Sequence, residues 1–93
     1  ALEEKFAMKD LKTAEFYLKY KAYDSAITYL RSIITSWPRA AVMPDVLTHL
    51  VNTYRLLEYK EDASEICTYF RAQWPKAPQL ATTCKEAGRT GSP

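Results

Sequence analysis

His49 is the only histidine of the chain, and Cys67 and Cys84 are its only cysteines. Nucleophilic catalysis needs a thiolate or hydroxyl beside a base, and neither cysteine has a plausible base nearby in the sequence. A zinc site wants four nitrogen or sulfur ligands in close pairs, whereas these two cysteines stand 17 apart with one histidine to help them. A glycine-rich phosphate loop has no glycines to draw on, because Gly88 and Gly91 both lie in the last six residues. Neither metal nor cofactor is expected, and an enzyme is the weak reading. His49 falls at the edge of an apolar stripe and reads as structural. The chain is rich instead in recognition chemistry: of its 93 residues, twelve are aromatic and seven of those are tyrosine. Tyrosine is over-represented at protein interfaces, and an arginine beside it can pair a carboxylate bidentately while stacking on a ring. Two places offer that combination, Tyr29 with Arg31, and Arg55 with Glu58, Tyr59 and Lys60. These six are the candidate partner-binding residues, with ordinary solvated charge as the competing reading.

Which elements hold them follows from composition and periodicity. Apolar residues make up 47% and charged residues 26%, a globular balance. The net charge of +2 has its signs interspersed, so there is no basic face for nucleic acid. No apolar run approaches the roughly 18–20 residues that span a bilayer. Residues 1–87 contain no glycine, which argues against the tight hairpins of a small β domain. The chain opens Ala1-Leu2-Glu3-Glu4 without an initiator methionine and reads as a segment of something longer.

Laid on itself with a shift of 37, the sequence matches Tyr17 to Tyr54, Ala26 to Ala63, Trp37 to Trp74 and Pro38 to Pro75. The chain has only two tryptophans, and both precede a matched proline. Each unit holds two helical stripes. The first unit has Ala7, Leu11, Ala14 and Leu18, then Ala26, Ile27, Leu30, Ile33, Ile34 and Trp37. The second has Leu47, Leu50, Val51, Tyr54 and Leu57, then Ala63, Ile66, Cys67, Phe70 and Trp74. The spacing predicts helices near 2–20, 23–37, 42–58 and 60–74, with a short one near 78–87. The fold expected is all-α: two stacked helical hairpins, 1–38 and 39–75, and a capping segment or tail over 76–93. Arg55, Glu58, Tyr59 and Lys60 then mark the turn of the second hairpin, while Tyr29 and Arg31 lie on the outer flank of an earlier helix. Lys5, Lys9 and Lys12 recur on one helix face and read as a solvated surface.

A small residue, a tyrosine three later, alanine nine after that and a closing proline resemble the tetratricopeptide repeat. The first unit has it as Ala14, Tyr17, Ala26, Leu30 and Pro38, and the second as Val51, Tyr54, Ala63, Cys67 and Pro75. Units of 37 exceed that repeat's length of about 34 by three residues placed after the proline. The wording from Ala14 to Ala26, Ala-Glu-Phe-Tyr-Leu-Lys-Tyr-Lys-Ala-Tyr-Asp-Ser-Ala, is similar to a line of the BamD (YfiO/ComL) family, lipoprotein subunits of the bacterial outer-membrane β-barrel assembly machinery. Trp37-Pro38 followed by Pro44-Asp45-Val46-Leu47, and Tyr54-Arg55-Leu56-Leu57, resemble further family segments. Two departures stand out: Lys21 takes the place of a family glycine, and Arg39 that of an aspartate.

The resemblance implies the C-terminal part of such a subunit, docking on the POTRA domain of the BamA-like barrel subunit, with other assembly-machinery lipoproteins as further partners. It implies a periplasmic location peripheral to the outer membrane, with the lipidated cysteine and the first repeats upstream of Ala1. The alternative is a generic tetratricopeptide adaptor or co-chaperone that takes a peptide in its concave groove. Cys67 reads first as a small buried hydrophobe. Cys84 could reach back to it if residues 78–87 fold over the last hairpin, and an oxidising periplasm would permit that bridge. Around Leu2, Phe6 and Met8 an exposed apolar patch is expected, where an upstream repeat or a fused partner packs.

Overall fold

A computed structural model describes residues 2–84 of the chain. Five helices follow one another: α1 (Leu2–Lys19), α2 (Tyr23–Ser36), α3 (Met43–Leu56), α4 (Lys60–Gln73) and α5 (Pro78–Thr83). There is no strand among the described residues. The chain divides into two compact units between Val46 and Leu47, one turn into α3. The all-α, tetratricopeptide-like hairpin organisation expected from the periodicity is present.

The 37-residue repeat is written into the backbone as well as the side chains. Helix α1 ends as Lys21 turns to φ 62°, and α3 ends as Glu58 turns to φ 64°, one repeat later. At the first turn the Ala22 N–H donates to the Tyr17 carbonyl and the Lys21 N–H to the Leu18 carbonyl. At the second, Tyr59 donates to Tyr54 and Glu58 to Arg55. This double closure is the Schellman arrangement, which satisfies carbonyls orphaned at a helix end and usually places glycine at the left-handed position. Here Lys21 and Glu58 occupy it.

Helices α2 and α4 close alike. Trp37 has φ −134° and ψ 56°, and Trp74 has φ −135° and ψ 58°. Their N–H groups donate to the Ile33 and Phe70 carbonyls. Pro38 and Pro75 follow, each restricting the residue before it to the extended side and forbidding another helical turn. The helices run slightly shorter than expected. The 42–58 stretch ends at Leu56, because the left-handed residue at 58 needs the two residues before it for the closure.

In the first unit Ala7, Leu11 and Ala14 of α1 are buried with Ala26, Leu30 and Ile33 of α2. Ala7, Ala14 and Ala26 are fully buried, so a larger side chain at any of these positions would overpack the hairpin. The connection after Pro38 is not a loose linker. Ala40, Val42, Met43 and Val46 are buried, and the Ala41 N–H donates to both carboxylate oxygens of Glu4, at 2.9 and 3.0 Å. The exposed ring of Phe6 stacks on Trp37 with centroids 5.6 Å apart. Leu2, Phe6 and Met8 are exposed, as expected of the patch where an upstream repeat or a fused partner would pack.

The second unit buries Leu47, Leu50, Val51 and Tyr54 of α3 and Ala63, Ile66, Cys67 and Phe70 of α4. Helix α5 has only six residues, far below the length at which a helix stands alone. It is tied to the rest of its unit. Cys84 is bridged to Cys67 with Cα atoms 5.6 Å apart. The Arg55 guanidinium donates to the Thr83 carbonyl at 2.6 Å, and the buried Thr83 hydroxyl lies 3.4 Å from that of Thr48. Cys67 is therefore both a buried residue and half of a disulfide, and both halves of the sequence reading apply. Residues 85–87, expected to extend this helix, lie outside the described residues.

Candidate partner-binding site

Arg55, Glu58, Tyr59 and Lys60 come together at the α3–α4 turn, as their spacing predicts. The Schellman closure fixes the backbone there, and the Tyr54 and Tyr59 rings meet at 6.3 Å and 42°. Tyr54 is buried, so it braces the exposed Tyr59 from inside. Leu56 is 61% exposed in the last turn of α3, a large apolar side chain that the sequence reading did not single out. The α3–α4 turn therefore presents Leu56 and Tyr59 as apolar surface between the charges of Glu58 and Lys60. Tyrosine is enriched at interface anchors, and charges around it match the polar rim of such a contact. Arg55 has a different position. It is half-buried, and its bond to Thr83 ties it to α5, so part of its guanidinium serves the fold.

Tyr29 and Arg31 belong to the first unit and are exposed on α2, but two positions apart they lie on opposite flanks of the buried Leu30 and are not brought together. Tyr29 stacks on Tyr17 at 5.6 Å and 22°. The Tyr17 ring meets Phe16 edge-on at 5.5 Å, and Phe16 meets Tyr20 at 4.9 Å. Four rings thus form a continuous row, two of them, Phe16 and Tyr20, well exposed at 55% and 64%. The sequence reading found Tyr29, used Tyr17 as a repeat position and passed over Phe16 and Tyr20. Their spacing of four, which puts both rings on one helix face off the Ala14–Leu18 stripe, was the available signal.

Farther along α1, an open depression of about 910 Å³ is lined by Lys5, Met8, Lys9, Lys12 and Phe16 among others. His49 is half-buried, and its carbonyl accepts the Thr53 hydroxyl at 2.7 Å, a bond inside α3. The disulfide removes both thiols from consideration as nucleophiles or metal ligands. Among the described residues no group of three or more His, Cys, Asp or Glu could hold a metal ion. No described helix is long and apolar enough to cross a membrane. What the surface offers chemically is recognition by rings and charges on rigid helix ends.

Compared with known families, residues 1–68 match the family model described as "YfiO: Outer membrane lipoprotein". That range takes in the first unit, all of α3 and α4 as far as Thr68. No curated protein and no solved structure matches the chain.

Proposed function

From the premise that the chain belongs to the YfiO family of outer membrane lipoproteins, which associates it with the cell envelope, we propose that it is a protein-docking scaffold. On this reading it is the C-terminal part of a BamD-like subunit. It holds the periplasmic POTRA domain of the barrel-assembly subunit while outer-membrane proteins fold and insert. It works in the periplasm, peripheral to the outer membrane, and transforms no substrate.

The observation that supports this reading best is the α3–α4 turn. A scaffold needs its contact residues held without help from the partner, since each side chain ordered only on binding subtracts from affinity. The turn meets that need. Its backbone is closed by two hydrogen bonds, Tyr59 is braced by buried Tyr54, and Leu56, Glu58 and Lys60 project around it.

The test is calorimetry of the chain against its cognate POTRA domain. Tyr59→Ala and Lys60→Glu each weaken the complex by more than about 1 kcal/mol, the level that separates an anchor from a neutral contact. Both positions are exposed, so the fold is untouched. A complex of undiminished affinity in both variants removes the turn from the interface, and no complex at micromolar concentration removes the proposal. Arg55→Glu is a poorer probe, because it also releases Thr83.

A further inference from the structure

Arg55 is held at both of its ends. Its carbonyl accepts the Glu58 N–H at 3.0 Å, part of the closure that shapes the α3–α4 turn, and its guanidinium donates to the Thr83 carbonyl of α5 at 2.6 Å. Thr83 is buried and stands next to Cys84, whose bridge to Cys67 of α4 pins the end of α5. A continuous line of bonds therefore runs from the disulfide through Thr83 and Arg55 to Glu58, all of it within the second unit. The first unit has the same turn without this line. There the Lys21 N–H donates to Leu18, the repeat counterpart of Arg55 and a half-buried apolar side chain that needs no polar partner.

The difference has an energetic consequence. Glu58 sits at φ 64°, a left-handed conformation that is costly for a residue with a Cβ, so the closure is held against a local cost by what fixes its flanking residues. A half-buried guanidinium that loses a carbonyl acceptor is penalised where it lies and gains by turning to water. A helix of six residues has no stability of its own, so without the bridge α5 lifts more readily. Arg55 then draws the last turn of α3 outward, and both the closure at Glu58 and the brace of Tyr54 on Tyr59 lose their fixed base. We propose that α5 is a strap that sets the docking turn through Arg55, so that formation of the Cys67–Cys84 bridge makes the chain competent to dock. The proposal rests on the reading of the α3–α4 turn as the docking surface. In the bond-forming step the two thiols lose two electrons and two protons to a disulfide-bearing oxidant, which is left as a dithiol. Once the bridge has formed both sulfurs are buried, Cys67 fully and Cys84 at 2% exposure, out of reach of an attacking thiolate while α5 stays down. The device is accordingly a maturation latch, closed once in an oxidising compartment, and not a reversible switch. Arg55 is its positioning residue and acts by holding the turn in shape before the partner arrives.

The test compares the whole chain oxidised, reduced with dithiothreitol, and as Arg55→Ala with the bridge intact. Amide exchange of the free chain under native conditions needs no partner. The Glu58 and Tyr59 amides are expected to exchange about fivefold or more faster, relative to those of Lys21 and Ala22 in the matching turn, both on reduction and in Arg55→Ala. The ratio to the first-unit turn removes any uniform loss of stability. Calorimetry against the cognate POTRA domain is expected to show binding weakened about fivefold or more by either change. Reducing Arg55→Ala should add little further, because both changes act through one line of contacts. Circular dichroism checks that each form folds, and if the reduced chain does not, oxidised Arg55→Ala carries both readouts. An unchanged exchange ratio in Arg55→Ala overturns the strap, and weakened binding beside it makes Arg55 a direct contact of the partner. A full further weakening when Arg55→Ala is reduced overturns it too, since the bridge then acts by another route. A chain that binds the POTRA domain in no form refutes the docking reading instead, while the exchange ratio still decides whether α5 sets the turn.

Discussion

Opening the Cys67–Cys84 bridge is the perturbation whose size can be worked most directly. The bridge closes a loop of 17 residues. In the chain-entropy account, constraining a loop of that length in the unfolded state contributes about 3 kcal/mol. A small domain has a net stability of about 5–15 kcal/mol, so the bridge supplies a large share of what is available. Reduction removes no atoms from the packed core and leaves two buried thiols, which keeps the comparison clean. Once open, α5 keeps the charge-assisted bond from Arg55 to the Thr83 carbonyl and the Thr83–Thr48 contact, without the covalent tie. A six-residue helix has no stability of its own to add. The assay is thermal and urea unfolding followed by circular dichroism, with and without reductant. The reduced chain is expected to melt roughly 12–24 °C lower, the shift that 3 kcal/mol produces in a domain of this size. Amides of Leu80 and Cys84, which donate to Ala77 and Leu80, should exchange faster on reduction. Superposed melting curves for the two forms would refute the reasoning, since the bridge would then be closing a segment that contributes nothing to the fold.

Lys21→Gly and Glu58→Gly should each raise stability by about 0.5–1 kcal/mol in urea titrations, because both replace a residue held at positive φ with one that has no Cβ to crowd there. A loss at either position would mean that the side chain makes a contact worth more than the backbone relief. Leu30→Ala, at a fully buried site of the first unit, should cost about 2–5 kcal/mol by the same titration. Glu4→Ala should destabilise by about 1 kcal/mol, leaving the Ala41 N–H to water, and Glu4→Gln should recover part of this through its remaining carbonyl oxygen. Equal stability of Glu4→Ala and the parent would show that the carboxylate bond is not maintained in solution.

The paired Trp-Pro units made most of the fold legible, because a proline after an indole both ends a helix and fixes the repeat length. The stripes of α1 to α4 followed, and with them the turn that holds Glu58, Tyr59 and Lys60. Three features could not be read. The burial of Ala40, Val42 and Met43 depends on how the connection after Pro38 lies against its own unit, and local periodicity carries no information about that. Lys21 and Glu58 have no composition that announces a left-handed residue, so only the backbone reveals the Schellman closures. Arg55 looked like a free anchor because its side chain leaves the core stripe, yet residue 83, 28 positions on, takes its guanidinium. The cysteine pair is the intermediate case. A spacing of 17 allowed the bridge, but only the return of α5 brought the sulfurs together.

The proposed docking surface depends on a property of the repeat: a hairpin packs with one stripe and presents its turn to other molecules. The account stands most directly on whether the α3–α4 turn is where a partner lands. Amide hydrogen exchange of the chain with and without its cognate POTRA domain measures this residue by residue. The account predicts protection centred on Leu57 to Lys60, with the outer face of α1 unchanged. Protection confined to α1, or none anywhere at saturating partner, would contradict it.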